Sequence, residues 1–280
     1  MRDSKVEKDS FVIIAKESKA YDILKIITPL ETIPSRNLKA TLTVADTYSG
    51  SLTIVTIDEF ISDLSSKTKE PIIPSVKIKG NNKSGDDMDN IKKSDPDVKL
   101  EFSTLGFFEN NLLKGYLSSD ESVGFNFLNN TQNETYVNTK CDNNNYTSIK
   151  IKDSKNKEKL TFKDNVPVVN LNIDITAELK EYNCSADFIK DEKFLKTMEK
   201  KFNKKIVNLI NKAINKLYKE NKSDVLDYGG KFYKTKYKEM NKLNYKKTNI
   251  KNNLKFNIKV NTNIDSVGLS IRSIKEFKDE

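Results

Sequence analysis

The fold is decided by residues 166–228, a stretch that begins with the run VPVVNLNIDITAELKEY (166–182). From Val169 to Leu179, apolar side chains occupy every second position and mostly polar side chains lie between them. This period of two predicts a long β-strand with one buried and one solvated face. Such a strand needs a second element to cover its apolar face.

A long amphipathic helix, predicted to begin at Asp191–Glu192, supplies that cover. Its apolar side chains recur every three or four residues, which is the spacing of one face of an α-helix. They are Leu195, Met198, Phe202, Ile206, Leu209, Ile210, Ala213, Ile214 and Leu217. The acidic start of this segment and Lys216 and Lys219 near its end suit the helix dipole. The strand and the helix together predict an α+β fold, in which the long helix covers a mixed or mostly antiparallel sheet.

Shorter elements are predicted on both sides of this stretch. Downstream they are a break at 223–230, a second helix ending near Asn241, and strands at 254–261 and 266–272. Upstream they are a β-hairpin at 107–117, a helix from the capping box at 118–121 to Leu128, strands at 135–137 and 146–151, and a charged turn at 155–159. Gly229 and Gly230 lack the spacing of a phosphate-binding loop. We interpret them as a structural turn, a glycine stop after 223–228.

The chain is predicted to have three parts. Residues 1–79 form a partial, truncated α/β domain, residues 80–97 a flexible linker, and residues 98–280 the C-terminal domain. Only Met88 and Ile91 are apolar in the linker, so it has too little apolar surface to form a packed core. The elements predicted before it are a strand at 11–15, a helix at 18–27, a helix capped by Ser35, a helix from the capping box at Thr56, and a strand at 72–78.

The 280-residue chain carries a formal net charge of +9. A basic chain is attracted to nucleic acid or to an anionic membrane, so one interpretation is a basic binding module for nucleic acid, an anionic polymer or a membrane surface. The simpler alternative is a lysine-rich composition without function. Lysines are spread along the chain among acidic residues and arginine is scarce, which disfavours nucleic acid.

The sequence contains no recognisable motif for catalysis or metal binding. The chain has no histidine, and Cys141 and Cys184 are too far apart to form a CxxC metal motif. The two cysteines could form one disulfide or remain two free thiols. The acidic run at 86–89 does not match a calcium loop, and no carboxylate pair stands in a catalytic motif. We therefore expect a non-catalytic protein without metal or cofactor.

One segment, 231–247, interleaves aromatic residues with many lysines. Its candidate partner or membrane surface consists of Lys231, Tyr233, Lys236, Tyr237, Lys238 and Tyr245. This composition is also typical of a stacking surface for single-stranded nucleic acid or a sugar polymer. The alternative is a helix that leans on the sheet, with tyrosines at its rim and lysines in water.

The order of these segments resembles the C subunits of spore germinant receptors, the Ger(x)C-type lipoproteins of endospore-forming bacteria. The resemblance is carried by the long strand and helix and by four short segments. These are Leu30–Ser35, the hairpin residues Leu113, Gly115, Tyr116 and Leu117, the segment Asp224–Gly230, and the ending 259–269. The chain departs from the family at Tyr116, where tryptophan is common, and at Thr104, where glycine is common.

This resemblance implies a non-catalytic C subunit of a nutrient germinant receptor that works with two membrane subunits of the A and B types. It implies a lipid anchor on the full-length form, at the outer face of the spore inner membrane. The family's signal peptide, lipid-modified cysteine and first strands have no counterpart within these 280 residues. We therefore expect this chain to be a truncated form that lacks the anchor and is soluble.

Overall fold

The computed structural model describes residues 41–42, 55–80, 98–110, 112–132, 135–141, 145–182, 184 and 192–267. Predictions that lie outside these residues concern the strand at 11–15, the helix at 18–27, most of the helix after Ser35, the interior of the linker including 86–89, and the chain beyond Val267. At Thr41–Leu42, which the helix after Ser35 was expected to include, the chain instead forms a strand paired with Val55–Thr56, so the prediction is wrong at those two residues.

Within the described residues the chain forms nine β-strands and five α-helices. The strands are β1 (Thr41–Leu42), β2 (Val55–Thr56), β3 (Ile72–Gly80), β4 (Val98–Glu109), β5 (Leu112–Tyr116), β6 (Tyr136–Lys140), β7 (Tyr146–Lys163), β8 (Val166–Tyr182) and β9 (Lys255–Val267). The helices are α1 (Ile57–Ser65), α2 (Ser119–Asn129), α3 (Glu192–Ile214), α4 (Tyr228–Thr235) and α5 (Tyr237–Lys242), with a π-helical turn at Asn215–Glu220 and a 3-10 turn at Ile250–Asn253. The predicted helix after Thr56 and the predicted strand at 72–78 are confirmed by α1 and β3.

The larger sheet has four strands in the order β6-β7-β8-β9. The β6–β7 and β7–β8 pairs are antiparallel, whereas β9 runs parallel to β8, with Val260 opposite Ile173. A parallel pair needs a long crossover connection, and the helices between β8 and β9 provide it. The α+β fold and its mixed sheet are confirmed.

Helix α3 covers the apolar face of this sheet, as predicted. Phe202 and Ile206 on the helix and Ile173 on β8 have no exposed surface. Each such side chain contributes about 1.5–3 kcal/mol when it is removed from water, so this interface is the core of the fold. The α-helical part ends earlier than predicted and continues as the π-helical turn, where Leu217 and Tyr218 are both buried.

Strand β7 runs unbroken through 155–159, so the charged turn predicted there is wrong. Lysines at alternate positions point to solvent, and Lys157 forms an ion pair with Asp174 at 3.0 Å. Between them, the polar side chain of Asn156 faces the helix layer, where its Nδ2 donates to the carbonyl of Leu128 at 3.3 Å. This part of β7 lacks the apolar alternation of a strand because its inward-facing residue, Asn156, is polar and binds the end of helix α2.

The smaller sheet has the order β3-β4-β5 and is antiparallel throughout. The β4–β5 pair confirms the predicted hairpin, and Asn110 in its turn has a φ of 51°. Ser118 and Glu121 form the predicted capping box at the start of α2. β3 lies in the predicted first domain and β4 in the predicted second, and the two strands pair with Gly80 opposite Val98. The division into domains stays a prediction.

A disulfide joins Cys141, just after β6, to Cys184, just after β8, with Cα atoms 6.0 Å apart. The structure therefore selects one of the two alternatives that the sequence left open. The bond closes a chain segment with a sequence separation of 43 residues. A loop of this length corresponds to a stabilisation of about 4 kcal/mol in the chain-entropy model.

The C-terminal elements differ from prediction in two places. The break predicted between the strands at 254–261 and 266–272 is wrong, because residues 255–267 form one continuous strand, β9, and alternate burial continues at Thr262. The helix predicted to end near Asn241 is broken into α4 and α5 at Lys236, which leaves helical geometry with φ −131° and ψ 30°. No helix in the described part of the chain is both long and apolar enough to cross a membrane.

Candidate functional site

The segment between the π-helical turn and α4 is built around the buried carboxylate of Asp224, which is 1% exposed. Oδ1 of Asp224 accepts hydrogen bonds from the Tyr218 hydroxyl at 3.1 Å and the Tyr228 amide at 2.9 Å. Oδ2 accepts from the Gly229 amide at 2.7 Å. Three donors therefore hold one buried carboxylate between two helical segments. We call residues 218–230 the Asp224 junction.

This junction also connects the two sheets. The Asp224 carbonyl accepts from the Glu70 amide at 3.1 Å, just before β3. The neighbouring Ser223 hydroxyl donates to the carbonyl of Phe108 in β4. Backbone atoms of the smaller sheet and of its preceding loop are thus bonded to the segment that follows α3. The junction fixes the smaller sheet against the helix layer of the larger one.

Burial dominates the electrostatics of this carboxylate and raises the pKa of Asp224 to about 6. The hydrogen bonds from Gly229, Tyr228 and Tyr218 act in the opposite direction, because they stabilise the charged form. Burial also raises the pKa of the Tyr218 hydroxyl well above its usual value. Tyr218 therefore stays protonated and acts as a donor to Asp224 at neutral pH.

Gly229 and Gly230 lie in the first turn of α4, so the interpretation of a glycine stop is corrected. A Cβ on Gly229 would lie 2.3 Å from the Lys247 carbonyl oxygen. A Cβ on Gly230 would lie 2.4 Å from Oδ2 of Asp227, whose Oδ1 accepts from the Gly230 amide at 3.0 Å. Glycine is needed at 229 because a backbone carbonyl approaches it closely, whereas the atoms nearest to Gly230 belong to the Asp227 side chain.

The same two glycines do not form an anion site. At a helix N-terminus, free amide groups would bind a phosphate or carboxylate ligand. In α4 the amides of Gly229 and Gly230 already donate to the carboxylates of Asp224 and Asp227. The protein's own side chains thus occupy the positions that a bound anion would need.

The structure divides the predicted Lys/Tyr surface into two groups. Tyr233 and Tyr237 are brought together, with ring centroids 5.1 Å apart in an edge-to-face arrangement. They are 38% and 48% exposed. The predicted Lys238 is exposed on the adjacent helix α5. Lys247, which the prediction did not include, places its Nζ 3.7 Å from the centroid of the Tyr233 ring.

The remaining predicted residues are held by the protein itself. Nζ of Lys231 pairs with Glu158 of β7 at 3.2 Å. Tyr245 donates its hydroxyl to the carbonyl of Asn165 at 3.3 Å, at the turn between β7 and β8. Lys236 is partly buried and pairs with Glu239 at 3.6 Å. These three residues fasten α4 and α5 and the following loop rather than present a surface.

Residues 231–247 contain seven lysines and one glutamate, a net charge of +6. Two of the lysines are the paired residues described above. The other five are exposed, and none of them forms an ion pair with a residue that the structure describes. We call these lysines and the two exposed tyrosines the α4–α5 surface. Its members are Tyr233, Lys234, Tyr237, Lys238, Lys242, Lys246 and Lys247.

The Asp224 junction and the α4–α5 surface are suited to structural support and to binding, respectively. Among the described residues, no group of three or more histidine, cysteine, aspartate or glutamate side chains could hold a metal ion. The Asp224 junction holds elements together, and the α4–α5 surface presents positive charge and aromatic edges. The sequence did not predict that Asp224 is buried, because hydrophobic periodicity gives no signal for a buried carboxylate. The segment Asp-x-x-x-Tyr-Gly (224–229) was noted only as part of the family resemblance.

Two family models match the chain in order. The model "Spore germination protein N-terminal domain" matches residues 1–78, and the model "Spore germination B3/GerAC like, C-terminal" matches residues 103–268. Among curated proteins, Spore germination protein KC of Bacillus subtilis (strain 168) is 27% identical over 240 residues. That match covers 85% of this chain, and the chain spans 58% of the length of protein KC.

A solved structure, that of the GerBC protein, has the same fold. The TM-score is 0.68 at 19% sequence identity, and the superposition covers 94% of this chain and 81% of GerBC. Since the C-terminal model alone matches more than half of the chain, the chain belongs to the Spore germination B3/GerAC like, C-terminal family.

Proposed function

We propose that the protein is the C subunit of a nutrient germinant receptor and supports receptor assembly and the signalling that triggers spore germination. The observation that carries the proposal is the match of both germination-family models, in order, to residues 1–78 and 103–268. Its partners in this proposal are the two membrane subunits of the receptor, of the A and B types. The resemblance in sequence order and the shared fold with GerBC support the same role.

The proposed role is non-catalytic. The most buried carboxylate among the described residues, Asp224, is engaged by three donors and lies at a joint between elements. General acid–base catalysis needs a group that can reach a substrate proton, whereas Asp224 is 1% exposed. A rigid joint between two sheets suits a subunit that transmits or supports a conformational state.

We further propose that the full-length form is lipid-anchored at the outer face of the spore inner membrane. The Cys141–Cys184 disulfide supports a location outside the reducing cytosol, because disulfides persist in oxidising compartments. The exposed lysines of the α4–α5 surface are compatible with an anionic membrane nearby.

Receptor membership is tested by isolating the tagged full-length protein from detergent-solubilised spore membranes. The expected result is co-isolation of two multi-spanning membrane proteins, identified by mass spectrometry, in constant ratio to the tagged chain. The control is an unrelated lipoprotein with the same tag from the same membranes. Recovery of the tagged chain alone, under conditions that keep other membrane complexes intact, would contradict the proposal.

A further inference from the structure

We infer that the α4–α5 surface is the docking site of this protein on a bilayer surface rich in anionic lipid headgroups. The inference rests on the proposed function and adds the partner of this surface. The proposed partner is lipid, and neither nucleic acid nor a protein. The charges and the ring contacts of the surface support lipid.

The surface is strongly basic. Residues 231–247 carry a net charge of +6 over 17 residues. The five lysines of the surface are exposed and form no ion pair with any residue in the described ranges. Basic residues near an anionic membrane each contribute to binding by non-directional attraction, and they need no fixed geometry. Exposed lysines without ion pairs, three on the short helices α4 and α5 and two in the loop after α5, meet that requirement.

The two tyrosines have the position expected of interfacial anchors. Tyr233 and Tyr237 pack edge to face and are 38% and 48% exposed, so each ring is half in the protein and half in solvent. Tyrosine combines an apolar ring with a polar hydroxyl and is enriched where membrane meets water. Phe232 and Met240, which are 0% and 1% exposed, hold α4 and α5 on the core beneath them.

The geometry disfavours a stacking site for nucleic acid. Base stacking requires an open aromatic face. Lys247 Nζ lies over the Tyr233 ring at 3.7 Å from its centroid, and Tyr237 meets the same ring edge to face. Segment 231–247 also contains no arginine, the residue that binds phosphates in a bidentate manner. A diffuse array of lysines suits a headgroup layer better than a single polyanion strand.

The test is vesicle binding by the disulfide-intact 280-residue chain. Binding is measured by co-sedimentation with vesicles of phosphatidylcholine alone or mixed with phosphatidylglycerol, and by titration with a single-stranded oligonucleotide. The test variant combines Lys234→Gln, Lys238→Gln and Lys242→Gln. The charge-matched control combines Lys196→Gln, Lys200→Gln and Lys204→Gln, three exposed lysines of α3 that form no ion pair with a described residue. Far-ultraviolet circular dichroism checks that both variants fold.

The wild-type chain is expected to bind the anionic vesicles and not the neutral ones, with binding weakened by salt. Each lysine near the surface is worth roughly fivefold in affinity, so the test variant should lose about a hundredfold. The control variant should lose far less. A Tyr237→Ser variant, which keeps every charge, should also bind more weakly than wild type.

Three results would overturn the inference. Equal losses in the test and control variants would show a general charge effect without a docking site. Equal binding to neutral and anionic vesicles, or no binding to anionic vesicles, would show that anionic lipid is not the partner of this surface. Tighter binding to the oligonucleotide than to the vesicles would assign the surface to nucleic acid. Failure of vesicle binding together with co-isolation of two membrane subunits would reject this inference and leave the proposed function standing.

Discussion

Oδ2 of Asp224 lies 2.7 Å from the amide nitrogen of Gly229, and this hydrogen bond fixes the start of helix α4. The same glycine has no room for a side chain on its other side, since a Cβ on Gly229 would lie 2.3 Å from the Lys247 carbonyl oxygen. Gly229, in the first turn of α4, is thus close to both the buried carboxylate and the loop that follows α5. These contacts explain the spacing between Asp224 and the glycine in the first turn of α4.

Replacement of Gly229 by alanine should destabilise the protein by about 3 kcal/mol, because backbone atoms that cannot rotate away must move. The measurement is urea unfolding followed by circular dichroism. The matched control is Gly115→Ala, where the new Cβ would lie 3.5 Å from the Phe107 ring, an ordinary contact. Equal changes for the two variants would contradict the close approach at Gly229.

Asp224 should make the free energy of unfolding depend on pH in an unusual direction. Its pKa is raised to about 6 in the folded protein, whereas an unfolded aspartate titrates near 3.9. The folded state therefore binds this proton more tightly, and the stabilisation, present in full below about pH 4, is lost as the pH rises through 6. The full contribution is about 3 kcal/mol.

The measurement for this prediction is urea unfolding of the wild type and of Asp224→Asn at several pH values from 4 to 7. The variant loses an acceptor for the Gly229 amide, so it should be less stable throughout. The informative quantity is the difference in unfolding free energy between the two proteins, which should be larger at pH 4 than at pH 7. A difference that does not change with pH would show that Asp224 has an ordinary pKa.

Removal of the disulfide should lower the free energy of unfolding by about 4 kcal/mol. The change is the pair Cys141→Ser and Cys184→Ser, which frees the ends of β6 and β8 from each other. Thermal unfolding of this variant is compared with that of the wild type with and without dithiothreitol. The reductant should lower the melting temperature of the wild type and leave the variant unchanged. An equal effect on both proteins would argue against the bond.

Replacement of Asn156 by alanine should cost about 1–3 kcal/mol, because the Leu128 carbonyl at the end of α2 loses its donor. The control is the next residue, Lys157→Ala, on the opposite and exposed face of β7. Its surface ion pair with Asp174 is worth less than about 1 kcal/mol. Both free energies come from urea unfolding. If Lys157→Ala were the more damaging change, the assignment of faces in β7 would be wrong.

Strand β8 and helix α3 could be predicted from the sequence because each has one apolar face, and the period of that face distinguishes a strand from a helix. Strand β7 could not be predicted in full. Asn156 faces inward and is polar, since it bonds to the end of α2 rather than packing in the core. Period-based prediction assumes that inward side chains are apolar, and it fails where a helix end supplies a polar environment.

The candidate site was predicted less well than the fold, for a related reason. Lys231 and Tyr245 looked equivalent to Tyr233 and Tyr237 in the sequence, yet the first two bond to the larger sheet and its turn. Which face of a short helix meets the sheet depends on distant partners such as Glu158. The pairing of Cys141 with Cys184 likewise depends on the positions of two strand ends in space.

The measurement that tests the central claim most directly is nutrient-triggered germination of spores that lack this gene. The strain should carry no other member of the family, and a matched strain should carry the restored wild-type gene. We predict a normal yield of heat-resistant spores and severely reduced germination on at least one nutrient, with recovery on restoration. Normal germination of the deletion spores on every nutrient tested would contradict the account.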